Sequence, residues 1–404
     1  LQCTRAAAAT VTPRPATAAT PPRKRLIVCL DGTWSRADDR RHATNVVAAM
    51  RAIAPTGRDG TQQVIFYDKG VGTGGFVDRL VGGLTGAGLE DNIKDAYLFL
   101  ANNYNEGDEI YVFGFSRGAY TARSLVGFLS AVGLQDRLTL RNLAAAWDIY
   151  RTPKEKRPAD PLAEAGGRRV HVEALGVWDT VGSLGIPVRW FNPFDFLKLR
   201  HQFHDVSLSA WVRNAFHAVA VDEKRGSFPP TMWQRKVGEP DRGQRVEQVW
   251  FAGVHSDVGG GYYGSDSEEA AYGIHQLPLQ WMMERVAATT GLELHPRFGQ
   301  MVAAADPLAP MHESRTALFF VSRLLPFDRV IGGKDGWART FLRSRNEPEP
   351  GWEFAGEALH ESVLLRLGNP VVTLDGGREL HAPYAPANVE AAKDAVPLAP
   401  WSGA

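Results

Sequence analysis

The sequence predicts a doubly wound, mainly parallel α/β sheet, carried in a single domain over residues 26–404. Three observations predict it. Short apolar runs that end in turn residues alternate with segments of helical periodicity, the pattern of repeated βα units. Hydrophobic residues make up 44% of the chain and charged ones 22%, a balance that packs a core. Two cysteines, Cys3 and Cys29, leave no disulfide framework and no cysteine-rich zinc module to organise the fold instead.

The first 25 residues stand apart. They hold Arg5, Arg14, Arg23, Lys24 and Arg25 among Ala, Thr and Pro, without an acid, and read as a flexible tail. They lack the apolar stretch of a secretory signal, so the expectation is a cytoplasmic chain or export by a specialised system. The first strand is Leu26–Leu30, ending in Asp31-Gly32-Thr33-Trp34. Such a continuous apolar run suits a strand buried on both faces. Thr44 caps a helix over Asn45–Ile53, stopped near Pro55. Val64–Tyr67 reads as the second strand. A glycine-rich loop follows, then a helix with Ile93, Ala96, Tyr97 and Leu100 on one face. Glu109–Phe113 is the third strand and turns through Gly114-Phe115-Ser116-Arg117-Gly118 into a helix that faces Ala122, Leu125, Val126 and Leu129 inward. Polar residues from Arg151 to Arg169 read as a surface insertion. Val170–Val177 is a fourth strand, ending at Trp178-Asp179, and Val246–Phe251 a fifth, ending near His255. Between them, about residues 184–245, the pattern loosens and aromatics crowd in. This stretch reads as an aromatic-rich cap inserted on the sheet.

Lys+Arg and Asp+Glu both number 45, so no general basic field favours a nucleic-acid partner. With the five basic residues of the tail set aside, 40 remain against 45 acids, and the body is mildly acidic. No apolar run approaches the ~18 residues of a transmembrane helix.

Gly114-Phe115-Ser116-Arg117-Gly118 matches G-x-S-x-G in the context that gives the motif its meaning: a strand leads in and an amphipathic helix leads out. The alternative is a plain helix-capping serine. A serine nucleophile needs a base, and the base needs an orienting acid. In α/β hydrolases the chain order is Ser, acid, His. Asp179 and His255 follow in that order, each just past the carboxyl end of a strand, where open α/β sheets place their sites. The Arg117 backbone N–H, with Gly32 or Thr33 from the loop after the first strand, would form the oxyanion hole.

The sequence resembles a known family at Leu30-Asp31-Gly32-Thr33-Trp34, Thr44-Asn45-Val46, Gly70-Val71-Gly72-Thr73-Gly74 and the elbow with Ala119-Tyr120-Thr121-Ala122-Arg123. The same resemblance runs through Trp178-Asp179-Thr180-Val181 and His255-Ser256-Asp257-Val258-Gly259-Gly260-Gly261-Tyr262. These segments, in order over about residues 25–265, resemble the α/β-hydrolase family that includes the phospholipase effectors of type VI secretion. The resemblance implies a lipase or esterase with Ser116, Asp179 and His255 as its triad.

Other patterns compete. Gly70-Val71-Gly72-Thr73-Gly74-Gly75 satisfies G-x-G-x-x-G, but more glycines follow where a dinucleotide site should open into a helix, so the loop is expected to line the site or serve structure. Asp31, Asp179, His255 and Asp257 offer hard-metal ligands for a metal-dependent phosphohydrolase. A binding protein on a hydrolase fold is a third reading. His360, in His360-Glu361-Ser362-Val363, rivals His255 as the base, and His217 reads as a cap residue packed among aromatics. Phe194 and Trp211 stand for the cap aromatics as candidate substrate contacts. The expectation that results is a serine hydrolase of carboxylic esters, lipid-like in substrate, that uses no cofactor.

Overall fold

A computed structural model describes residues 22–32, 43–70, 86–137, 140–181, 207–225, 228–240, 242–262, 273–303, 305–314, 328–332, 348, 350–375 and 378–401. The tail up to residue 21, Thr33, the loop 71–85 and residues 182–206, which include the first part of the expected cap with Phe194, lie outside them.

Eight strands form the central sheet: β1 (Lys24–Leu30), β2 (Gln62–Asp68), β3 (Glu109–Phe115), β4 (Val172–Trp178), β5 (Val212–Ala220), β6 (Arg245–Phe251), β7 (Glu357–His360) and β8 (Leu398–Ala399). Their order is β2-β1-β3-β4-β5-β6-β7-β8, and every pairing is parallel. The chain direction of assembly reverses between β1 and β3, so a crevice opens beyond their carboxyl ends. The loops after β1 and β3 carry Gly32 and Ser116.

Parallel strands covered on both faces must be apolar on both. In β1, Ile27 and Cys29 join one buried cluster while Leu26, Val28 and Leu30 join the other. The first cluster includes α1 (Asn45–Ala52) and the long helix Gln276–Thr289. The second includes α2 (Gly86–Asn103) and α3 (Arg117–Val132). Thr44 caps α1 as expected, accepting from the Val47 N–H.

Two expectations need correction. Lys24 and Arg25, assigned to the tail, open β1, and Arg25 is buried and paired with Asp59 and Glu109 at 2.8 and 3.0 Å. Residues 212–220, assigned to the cap, are β5, a buried strand in the middle of the sheet. Its polar residues Arg213, Asn214 and His217 break the apolar run. Two of them are buried and bonded: Asn214 Nδ2 donates to the Glu173 carbonyl at 2.8 Å, and His217 Nε2 accepts from the Thr180 N–H at 3.1 Å. His217 is therefore a sheet residue, its ring edge-on to Trp233. Burial pushes its imidazole down to about 3, so it is neutral.

Candidate active site

Two residues other than glycine have positive φ among the described residues: Ser116 at 57° and Asp179 at 36°. Both stand where a parallel strand ends, β3 and β4 respectively. Such conformations cost about 1–3 kcal/mol and persist where surrounding structure over-determines them. At the elbow, close packing makes the turn. A β-carbon on Gly118 would lie 2.1 Å from the Leu30 carbonyl oxygen, and one on Gly114 2.5 Å from that of Gly118. Only glycine lets α3 start this close to β1 and β3.

Ser116 takes the N-cap position of α3 but makes no side-chain capping bond. Its Oγ lies 2.8 Å from His255 Nε2. His255 Nδ1 lies 2.5 Å from Asp179 Oδ2. The geometry thus brings together the serine, histidine and acid that chain order had paired, across 139 and 76 residues. His255 opens the short helix α4 (His255–Gly259) after β6. Phe115 and Phe228 wall its ring, with centroids at 4.7 and 5.1 Å. Behind the ring, Glu223 Oε2 accepts from the His255 backbone N–H at 3.3 Å and is paired to Arg225 at 2.8 Å.

The charges settle by neighbours. Burial pushes the Asp179 carboxyl up, but the Arg329 guanidinium and His255 outweigh it and hold the group well below the usual carboxylate range. Burial lowers His255, partly offset by Asp179. With Asp179 ionised and accepting, the imidazole proton belongs on Nδ1, which leaves Nε2 to accept from the serine hydroxyl.

Arg329 was not foreseen. Fully buried, it donates through Nη1 to Asp179 Oδ1 at 2.6 Å and through Nη2 to Oδ2 at 3.0 Å. A single arginine 150 residues beyond the acid carries no motif that could have marked it. Phe228 stood among the cap aromatics, without a distinct role.

Other expected residues fall elsewhere. Gly32 packs beside Ser116, with an ideal β-carbon 3.5 Å from Ser116 Cβ, but its N–H donates to Asp31 Oδ1 at 2.7 Å within its own loop. Asp31 also accepts from Thr44 Oγ1 and from the Tyr67 hydroxyl at 3.0 Å, so it organises the loop after β1. Trp211 precedes β5, at the amino end of the sheet, with Arg169 over its ring and His171 against its edge. From there to the carboxyl ends is roughly 20 Å, six residues of parallel strand, so it does not stand beside Ser116. His360 caps the helix Glu361–Arg366, accepts from the Ser362 N–H and stacks on Phe251. Burial pushes it down to about 3. It stands at the end of β7, four strands from β3 in the sheet. Asp257 accepts from the Val254 N–H and pairs with His312 Nδ1 at 2.6 Å. Among the described residues no group of three or more His, Cys, Asp or Glu is gathered to hold a metal ion. Arg329 already takes both oxygens of Asp179, and Asp31 and Asp257 serve separate loops, so the four proposed ligands do not form one metal-binding set.

The all-parallel sheet with an elbow after β3 is an α/β-hydrolase-like architecture. Residues 24–285 match the family model described as T6SS, phospholipase effector Tle1-like, catalytic domain. That match spans more than half of the chain, and the chain belongs to this hydrolase family. Uncharacterized protein YEL023C of Saccharomyces cerevisiae is 30% identical over 232 residues, 51% of this chain and 32% of the relative. The chain thus matches about a third of that relative's length. An uncharacterized protein from Pseudomonas aeruginosa, known as a crystal structure, is 20% identical with a TM-score of 0.39, over 70% of this chain and 48% of that one. The Tle1 effector bound to the VgrG spike from the Type 6 secretion system is 19% identical with a TM-score of 0.33, over 62% and 53%. Among the described residues no helix is long and apolar enough to cross a membrane.

Proposed function

We propose that the chain hydrolyses carboxylic esters of lipid-like molecules by a serine mechanism. The observation that carries the reading is the unbroken hydrogen-bonded chain from Ser116 Oγ through His255 to Asp179 at the carboxyl ends of three parallel strands. Ser116 attacks the ester carbonyl while His255 Nε2 takes its proton. The C–O bond breaks as His255 returns that proton to the leaving alcohol, and a water deprotonated by His255 then frees the acyl-enzyme. Asp179 holds the imidazole and its charged form. The Arg117 N–H, first in α3, is assigned to the oxyanion. Thr33, expected as a second donor, lies outside the described residues. The Gly32 amide, engaged by Asp31, is set aside.

Lipid as the substrate is supported by the family and by the Phe115 and Phe228 walls. Export through a type VI system is proposed on the family match alone. A fluorophosphonate label mapped to Ser116, followed by a p-nitrophenyl ester series, tests the reading. Each methylene buried in the pocket adds roughly 0.8 kcal/mol, so kcat/KM should climb about fourfold per methylene from acetate before levelling off. Absence of label at Ser116 removes the serine mechanism. Acetate as the best ester removes the lipid-like substrate.

A further inference from the structure

We propose that Arg329 is a positioning residue of this site: its guanidinium clamps both oxygens of Asp179 and, through Asp179, aims His255 at Ser116. The proposal rests on the serine-hydrolase reading. It adds a residue from beyond the segment matched by the family model, which ends at residue 285.

An acid that only had to meet the imidazole could be held by one backbone amide. Asp179 has that amide, the Ala220 N–H at 3.0 Å from Oδ1. It also has the arginine, at 2.6 Å on Oδ1 and 3.0 Å on Oδ2. Two parallel N–H donors on one carboxylate fix its rotation as a single donor cannot. With the plane fixed, Oδ2 is left aimed at His255 Nδ1, 2.5 Å away. The clamp also meets a specific need, because Asp179 has a φ of 36° that an aspartate rarely holds unaided.

Arg329 is itself anchored on several sides. Nη1 also donates to the Ala220 carbonyl at 2.8 Å, and Nη2 to that of Phe228 at 2.7 Å. Its own carbonyl accepts from Asn388 Nδ2 at 3.1 Å, and the same amide donates to the Val221 carbonyl at 3.2 Å. One fully buried side chain thus ties together the loop after β4, the end of β5 and the segment that sets Phe228 against the His255 ring. Desolvating a guanidinium is expensive, and replacement of a buried ion pair by apolar residues is often neutral for stability, so folding alone gives weak reason for an arginine here. Orientation of the acid gives a strong one.

The clamp has an electrostatic consequence. Asp179 faces Arg329 and His255, with His217 farther off, and His255 faces Asp179, Arg225 and Glu223. The Arg329 cation competes with the imidazolium for the carboxylate charge. Removal of that cation lets the Asp179–His255 pair hold its proton more tightly, so the acidic limb of the rate profile moves to higher pH.

The experiment measures kcat, KM and the pH profile of kcat/KM for Arg329→Met, Arg329→Lys and Arg329→Ala, beside Ser116→Ala and Asp179→Asn. Arg329→Met is expected to lower kcat by about 10- to 100-fold with KM within about twofold, as for other residues that orient a reacting group. Its acidic limb should move up, and guanidinium ion should restore part of the rate to Arg329→Ala. Arg329→Lys, which keeps charge and loses the fork, should fall between. A folded Arg329→Met with wild-type kcat and profile overturns the proposal. If Arg329→Met does not fold, an unchanged Arg329→Lys overturns it equally, and failure of both to fold makes Arg329 a folding residue and also overturns it. Full activity in Ser116→Ala brings down the serine-hydrolase reading itself, and full activity in Asp179→Asn brings down this inference with its acid. An inactive Asp179→Asn with silent Arg329 variants brings down this inference alone.

Discussion

Ser116 holds a φ of 57° and ψ of −119° with its hydroxyl turned away from capping its own helix and toward His255. That arrangement forgoes a capping bond, and it leads to the first prediction. Ser116→Ala should fold as the wild type does and lose hydrolysis by about 10⁴–10⁶ in kcat. A folded variant with more than a tenth of the rate would place the nucleophile elsewhere. The second concerns the base. His255→Ala should match Ser116→Ala, whereas His360→Ala should act on the melting temperature, since His360 caps a helix and stacks on Phe251. The reverse ranking in the same assays would move the base to the later histidine. The third follows from burial. A buried imidazole held below its ordinary 6.5 stays neutral as the pH falls. The acidic limb of kcat/KM should therefore lie below about pH 6.5, and a limb at or above about 7 would show that Asp179 stabilises the imidazolium more than burial opposes it.

Elements meet the site through their ends. The turn from β3 into α3 works because Gly118 lets the helix rest on the carbonyl of Leu30, an immovable backbone atom. Gly118→Ala should lower stability by about 1–3 kcal/mol through overpacking and lower activity with it, read by thermal melts and ester hydrolysis. An unchanged melting temperature would mean that the elbow has slack. The loop after β5 has a pH dependence of its own. Buried Asp222 accepts from the Gly253 N–H and the Tyr384 hydroxyl, yet burial pushes it up to about 6 from 3.8. The folded state thus keeps a proton that the unfolded chain has released. Stability should fall as pH rises from about 4 through 6 and then level, by an order of 3 kcal/mol. Asp222→Asn should flatten that slope in denaturant titrations, and an equal slope in the variant would assign it to another group. The strands β1, β3 and β6 were legible as apolar runs with turn residues behind them. β5 was not, because its buried Asn214 and His217 look like surface residues until their partners across the sheet are known.

At the scale of the whole molecule, the elbow and six of the eight strands lie within the matched segment, yet Arg329, which bonds Asp179, comes from outside it. β7 and β8 also come from the last third and cover the edge of β6. A chain ending at residue 285 would lose all three. It should aggregate through the bared edge and show no hydrolysis, as size-exclusion and ester assays would read. A soluble, active chain of that length would make the last third accessory. By itself the sequence determined the βα alternation, the elbow and the order of Ser116, Asp179 and His255. The first two are written in residues adjacent along the chain, where periodicity and turn chemistry act, and the third in the order of three separate strand ends. Only the tertiary structure decided that Asp179 is clamped by Arg329, that Trp211 lies at the far end of the sheet, and that a strand carrying a histidine runs through its middle. These depend on which polar groups meet after burial, and such partners are joined across tens to 150 residues by packing that no local pattern encodes.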